Sequence, residues 1–154
     1  MVRTMRFTKL HGAGNDYLFV DARGLKKDWP ALSRVMSDRH FGAGADGLIL
    51  ALPGDVAPLR MRMFNADGSE AEMCGNGVRC LVKFAIERGI ARPGADGFVD
   101  VETLAGLIRV KPIYRDGRMA AARVNMGTPR LAPAEVPVNV KGPGPVLDHP
   151  LTVD

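Results

Sequence analysis

The stretch from Leu59 to Gly89 constrains the fold of this chain more than any other segment. It begins with apolar residues that alternate with two arginines, the period-two pattern of a strand with one buried face. Turn-forming residues follow, and an apolar helical pattern then starts at Val78 and stops at Gly89, a residue suited to the left-handed cap of a helix. Cys74 lies between them. The sequence therefore predicts a cysteine at or just before a helix N-terminus.

The predicted helix is apolar around most of its circumference. Only Arg79, Lys83 and Glu87 interrupt it, as a narrow polar stripe with a spacing of four residues. Helices with this pattern are buried. The simplest fold for a chain of 154 residues places this helix at the centre and wraps a β-sheet around it. We therefore predict an α+β fold in which a mostly antiparallel sheet surrounds a central buried helix, with Cys74 at the positive end of the helix.

The remaining patterns complete this unit. Pro30 fits the first turn of a helix that runs to about Asp38, and Asp116-Gly117 fits the turn of a hairpin between two late strands. After Gly127 the composition changes, because six of the 11 prolines follow it. We predict a first unit over residues 1–126. Residues 127–154 then form a linker and the first strands, 135–140 and 150–154, of a second half. We expect this second half to be incomplete, because two strands alone are not stable.

Composition excludes several classes of function. The net charge is +4, but the 21 basic residues are scattered and have no interleaved aromatic residues, so we expect no nucleic-acid partner. No apolar run is long enough to span a bilayer, so we expect no membrane partner. The two cysteines lie on one predicted helix and do not form a disulfide framework. A cytoplasmic location is the expectation.

Cys74 is the best candidate for chemistry. Most free cysteines are small buried hydrophobes, and we interpret Cys80, inside the helix, in that way. Cys74 differs because a helix N-terminus stabilises negative charge, and the glycines that follow it let a ligand approach the backbone. A metal site formed by both cysteines with His11 and His40 is a weaker alternative, since six residues of helix separate the two sulfurs by about 9 Å along its axis.

A glycine-rich stretch, Gly42 to Gly47, matches the dinucleotide pattern G-x-G-x-x-G. A phosphate-binding loop of that type follows a strand and opens a helix, so that N–H groups face the anion. Here a predicted helix precedes the stretch and a predicted strand follows it. We therefore expect no nucleotide site.

Taken together, four motifs resemble the amino-terminal half of diaminopimelate epimerase. They are HGAGNDYLFVD at residues 11–21, RHFGAGADG at 39–47, FNADGSEAEMCGNGVRC at 64–80 and VNMGTP at 124–129. The resemblance implies a pseudo-symmetric enzyme of two similar halves with the active site between them. It also implies inversion of one α-carbon of LL-diaminopimelate to give the meso form, in lysine and cell-wall precursor biosynthesis, with no cofactor and no metal.

The resemblance also assigns site residues. Cys74 matches the first of two catalytic cysteines that act as base and acid, and substrate-binding positions correspond to Asn15, Asn65, Gly75 and Asn76. Gly47 departs from members that have glutamine there, and a glycine offers only its backbone, so we leave it out of the predicted site.

The motif that carries the second catalytic cysteine is absent from these 154 residues. Cys80 lies on the same helix as Cys74 and cannot reach the opposite face of a substrate. We expect this chain to be inactive alone. Its expected partners are a small amino-acid substrate and the missing carboxy-terminal half, and a homodimer is a further possibility that the sequence leaves open. Two other functions stay open, a racemase of the same fold acting on another amino acid and a non-catalytic module that binds a carboxylate.

Overall fold

The computed structural model describes residues 4–136, 138–140, 144–148, 150 and 152. Within them are eight strands and two helices: β1 (Thr8–Gly12), β2 (Asn15–Asp21), α1 (Trp29–Ser37), β3 (Gly47–Leu52), β4 (Leu59–Asn65), β5 (Glu70–Ala71), α2 (Gly75–Glu87), β6 (Val99–Thr103), β7 (Gly106–Arg115) and β8 (Arg118–Val124). None of the helices in this part of the chain is long and apolar enough to cross a membrane.

The strands form one curled, mixed sheet. Its order is β1-β2-β3-β4-β6-β7-β8, and the short strand β5 pairs with β4. The pairs β2–β3 and β4–β6 are parallel, and the other pairs are antiparallel. A parallel pair needs a crossover connection, and each of these two crossovers contains one of the helices. The α+β class and the antiparallel majority were predicted, whereas the two parallel pairs were not.

The two helices pack against opposite faces of the sheet. Strands β2 and β3 are buried on both faces, so successive residues point alternately to each helix. Tyr17, Phe19 and Ile49 share a core with α2, whereas Leu18, Leu48 and Leu50 share a second core with α1. Because both faces are buried, these strands are continuous apolar runs in which polar residues do not alternate with apolar ones.

Helix α2 contacts strands near both ends of the sheet, β1 and β8, as well as β2, β3 and β7. Its inward residues are buried: Gly77, Val78, Cys80, Leu81, Val82, Phe84 and Ala85. The polar stripe stays at the surface, where Lys83 Nζ donates to the Met119 carbonyl oxygen at 2.7 Å. The prediction of a buried helix between Cys74 and Gly89 is confirmed, with Gly89 at a φ of 66°. Its role as the central rod of a complete fold stays a prediction.

Two tight hairpins use left-handed residues. Asp116 and Gly117 have φ values of 51° and 74°, the geometry of a type I′ turn, and this confirms the predicted hairpin between β7 and β8. Ala13 and Gly14 form the corresponding turn between β1 and β2, with φ values of 55° and 87°. The second turn brings Asn15 to the first position of β2.

The segment after β8 has no regular strand among the described residues. The predicted strand over 135–140 is not formed at residues 135, 136 and 138–140, and the one over 150–154 lies mostly outside the described residues. A strand needs a neighbour to pair with, and the prolines of this segment cannot donate ladder hydrogen bonds. The proposed boundary between residues 126 and 127 stays a prediction.

Candidate active site

Cys74 is the N-cap residue of α2, as predicted. Its backbone is extended, with φ −135° and ψ 120°, and its half-buried sulfur accepts a hydrogen bond from the Gly77 N–H at 3.3 Å. Gly77 lets this end of the helix lie close to the sheet, because a Cβ there would come within 2.6 Å of Ile49 Cδ1. The sulfur therefore lies on the positive end of a 13-residue helix, a position that stabilises negative charge.

Asn15 lies beside Cys74 in space, although 59 residues of sequence separate the two. The Asn15 Oδ1 atom lies 3.6 Å from Cys74 Sγ and 3.5 Å from Asn76 Nδ2. The Asn76 oxygen accepts from Arg79, whose guanidinium also donates to the Gly75 carbonyl at 3.0 Å. The structure thus brings four of the five predicted site residues together, and it adds Arg79.

Asn65, the fifth predicted residue, is not hydrogen bonded to this group among the described residues. Its Nδ2 atom donates to Ser69 Oγ at 2.9 Å in the turn after β4. Strand pairing nevertheless places Tyr17, Gly47 and Asn65 in one row across the sheet, on the face that carries α2. This placement is compatible with substrate binding by Asn65, which stays a prediction.

Gly47, in the middle of this row, is glycine for a steric reason. A Cβ atom there would lie 2.2 Å from the Phe64 carbonyl oxygen, a backbone atom that cannot easily move. Any side chain at this position would therefore require the neighbouring strand β4 to shift. This explains in structural terms why Gly47 contributes no side chain to the site.

A charged cluster behind Asn15 holds its amide in place. Asp46 accepts from the Asn15 amide nitrogen and, at 3.0 Å, from the Asp16 N–H. Arg39 bridges the two carboxylates, at 2.9 Å from Asp46 and 2.7 Å from Asp16, and Lys9 lies 3.1 Å from Asp16. Because Asp46 takes the amide nitrogen, the Asn15 oxygen is the atom that faces Cys74.

Sequence reasoning missed this cluster. Arg39 and Asp46 flank the glycine-rich stretch, which connects α1 to β3 and therefore cannot be a phosphate loop of the strand-to-helix kind. The predicted order of elements around this stretch, a helix before it and a strand after it, is confirmed. The charged residues of the RHFGAGADG motif were the available signal, but nothing local in the sequence indicated that they reach Asn15.

We predict that Asp16 makes folding sensitive to acid. The hydrogen bond from the Arg39 guanidinium holds the pKa of the Asp16 carboxyl far below its usual range, against the raising effect of burial. An unfolded aspartate titrates at about 3.9, so the contribution to stability is complete above that pH and is lost as the pH falls. Urea unfolding at pH 6, 5, 4 and 3 should show a steeper loss of stability for the wild type than for Asp16→Asn.

Asp55→Asn is the matched control for this prediction. Asp55 also pairs with an arginine, at 3.1 Å, but its side chain is 81% exposed, and exposed pairs contribute little. This variant should follow the wild-type curve. Parallel curves for Asp16→Asn and the wild type would contradict the assignment.

Cys80 is buried in the core shared by α2 and the sheet, with 7% of its surface exposed. Burial raises the pKa of its thiol, so it is held in the protonated form. The interpretation of Cys80 as a core residue is confirmed. Among the described residues, no three His, Cys, Asp or Glu side chains come together as a metal site.

Comparison with known proteins gives a consistent set of relatives. A family model for diaminopimelate epimerase matches residues 7–132. The diaminopimelate epimerase of Moorella thermoacetica is 49% identical over 152 residues, covering 97% of this chain and 53% of the relative. That of Pelotomaculum thermopropionicum is 50% identical over 150 residues, covering 96% and 52%. The chain thus spans about half the length of these curated relatives.

Solved structures of other proteins share the fold. A probable proline racemase from Agrobacterium radiobacter K84, crystallised with carbonate, superposes with a TM-score of 0.64 at 22% identity, covering 79% of this chain and 41% of that one. A hydroxyproline epimerase from Agrobacterium vitis, with bound trans-4-OH-L-proline, gives 0.61 at 20% identity, covering 78% and 40%. At these identities the likeness concerns the fold alone.

Proposed function

Because this chain belongs to the diaminopimelate epimerase family, we propose that it is the amino-terminal half of an enzyme that interconverts LL- and meso-diaminopimelate. In this proposal the enzyme is a cytoplasmic isomerase that serves lysine and cell-wall precursor biosynthesis. The observation that carries the proposal is the placement of Cys74. Its sulfur caps a helix, accepts a hydrogen bond from a backbone N–H and lies beside the Asn15 amide, which in turn contacts the Asn76 amide.

The proposed reaction transfers protons directly. The Cys74 thiolate removes the α-proton, so an S–H bond forms and the electron pair of the C–H bond stays on the α-carbon, delocalised into the substrate carboxylate. A thiol on the opposite face then returns a proton to that carbon. In the reverse direction the two sulfurs exchange roles. No group changes its oxidation state in this scheme, and the proposal includes no cofactor.

The α-proton of an amino acid is a very weak acid, so the site must stabilise the developing negative charge. The N-terminus of α2 supplies backbone N–H groups for this purpose, and Gly75 leaves them accessible. In the proposal Asn15, Asn65 and Asn76 bind the polar groups of the substrate. Arg79 fixes the Asn76 amide, and Asp46 fixes that of Asn15.

The second thiol must come from outside this chain, because buried Cys80 lies within α2. We propose that it belongs to a carboxy-terminal half with a similar fold, a sheet wrapped around a central helix, and that residues 127–154 lead into it. The active site is then the cleft between the halves. The chain alone is expected to be inactive.

Deuterium incorporation tests the proposal. The 154-residue chain, and the same chain fused to the carboxy-terminal half of the Moorella thermoacetica relative, are incubated with LL-diaminopimelate in heavy water. We expect deuterium at the α-carbon only with the fused protein, since inversion needs a group on each face. Light scattering on both proteins shows in parallel whether two copies form a homodimer.

The full-length Moorella relative is the positive control, and circular dichroism checks that the fusion is folded. L-Proline and trans-4-OH-L-proline serve as alternative substrates. A folded fusion that exchanges neither the α-proton of diaminopimelate nor those of the alternatives would contradict an epimerase. Exchange of proline alone would contradict the substrate assignment.

A further inference from the structure

Tyr17 places a buried hydroxyl group beside the sulfur of Cys74. The residue is only 4% exposed, and its hydroxyl oxygen lies 3.5 Å from Cys74 Sγ. Its position in β2 is fixed on both sides by pairing with β1 and β3, and its ring packs edge-on against Phe19. Since a buried hydroxyl is costly without a hydrogen-bond partner, the contact with sulfur is part of what makes this tyrosine acceptable in the core.

The direction of the hydrogen bond follows from the ionisation of the two groups. Burial raises the pKa of Tyr17 far above its ordinary value, and the hydrogen bond and charge of Cys74 raise it further, while the neighbouring Asn15 side chain acts in the opposite sense. The phenol therefore keeps its proton. A thiolate has no proton to donate, so the Tyr17 O–H must be the donor once Cys74 has ionised.

We propose that Tyr17 is a positioning residue for Cys74, and that its hydroxyl donates a hydrogen bond that holds and stabilises the thiolate at the N-terminus of α2. The Gly77 N–H is the second donor, at 3.3 Å, and Asn15 Oδ1, at 3.6 Å, can accept from the protonated thiol. The sulfur thus has partners in both protonation states, which suits a group that removes and returns a proton.

The other charged or titratable groups around this contact lie on α2, just before β3 and in the loop after α1. Asp46, just before β3, acts on Tyr17 through its negative charge, and Arg79 lies on α2 next to Asn76. Cys80, also on α2, stays protonated because it is buried. Arg39 neutralises Asp46 from the loop after α1. Because Tyr17→Phe leaves all of them in place, the variant isolates the hydroxyl.

The test measures how fast iodoacetamide alkylates Cys74 between pH 5 and pH 10. A Cys80→Ala background leaves a single thiol, since the chain has two cysteines. We expect Tyr17→Phe to move the pH midpoint of alkylation up by about one unit, because a hydrogen bond to a charged acceptor is worth about that much. One unit below the wild-type midpoint, the rate should fall about tenfold.

Tyr114→Phe is the matched control, because Tyr114 is the only other tyrosine and is 48% exposed on β7. Its alkylation profile should match that of the background. Superimposable profiles for Tyr17→Phe and Tyr114→Phe would overturn the proposal. If Tyr17→Phe does not fold, 3-fluorotyrosine can be incorporated biosynthetically into the Tyr114→Phe protein, where Tyr17 is the remaining tyrosine. Fluorination makes the phenol a stronger hydrogen-bond donor, so the pH midpoint of alkylation should move down. An unchanged midpoint would then overturn the proposal.

Only the use of this contact in catalysis rests on the proposed function. The alkylation profile is measured on the 154-residue chain without substrate. A shifted profile together with no deuterium exchange in the fused protein would refute the proposed function and leave the role of Tyr17 intact. Exchange together with an unshifted profile would refute the role of Tyr17 alone.

Discussion

Replacing Cys74 by alanine in the fused two-half protein is expected to abolish deuterium incorporation into LL-diaminopimelate. The reaction as proposed has one group on each face of the α-carbon, and alanine can neither accept nor donate a proton. General acid–base catalysis by one positioned side chain contributes roughly 10²- to 10⁴-fold, so the rate should fall by at least about 10²-fold. Mass spectrometry of the recovered substrate measures this loss directly.

Cys80→Ala is the matched control for that experiment. It removes the same atom from the same helix, but at a position that is buried and turned towards the sheet. Its exchange rate should stay within a few-fold of the wild type. A Cys74→Ala variant that keeps more than a tenth of the wild-type rate would reject Cys74 as the proton-transferring group, whatever becomes of the rest of the proposal.

The part of the site that could be predicted is the part encoded by local patterns. The end of strand β4, the glycines after Cys74 and the apolar repeat from Val78 to Gly89 are all features of one continuous segment. Together they locate the helix N-terminus within a few residues, and with it the thiol. Observed α2 begins at Gly75, directly after Cys74, because the cysteine caps it.

The partners of Cys74 could not be derived in the same way. Asn15 and Tyr17 are 59 and 57 residues away from it in sequence, and they reach it because β2 is next to β3 in the sheet and α2 packs over both. Periodicity reports which face of a strand is buried, not which strand lies beside it. Family resemblance supplied Asn15 and Asn76, whereas the contacts of Tyr17, Arg79 and Asp46 with this group are seen only in the folded structure.

The local sequence pattern around Tyr17 gives no indication that its hydroxyl group contacts Cys74. In the run from Tyr17 to Val20 it reads as one more apolar strand residue, and its ring is indeed in the core. The two parallel strand pairs were missed for a related reason. Strand patterns are the same for both directions of pairing, and only the helices that connect these strands select the parallel one.

Leu81→Ala should cause a large loss of stability. Leu81 is fully buried in the core between α2 and the sheet, so the change removes apolar contacts and leaves a cavity. Such substitutions typically cost about 2–5 kcal/mol, a large part of the roughly 5–15 kcal/mol by which domains are stable. Urea unfolding followed by circular dichroism measures the change in the free energy of unfolding.

Val35→Ala is the matched control, because Val35 also lies on a helix but is 68% exposed. Its stability should stay within about 0.5 kcal/mol of the wild type. Below its unfolding transition, Leu81→Ala should also keep the wild-type pH midpoint for Cys74 alkylation, because the Gly77 N–H and the Tyr17 hydroxyl that contact the sulfur are unchanged. Equal stability of the two variants would contradict the burial of Leu81. A shifted midpoint in folded Leu81→Ala would mean that core packing, rather than the two donors, controls the thiol.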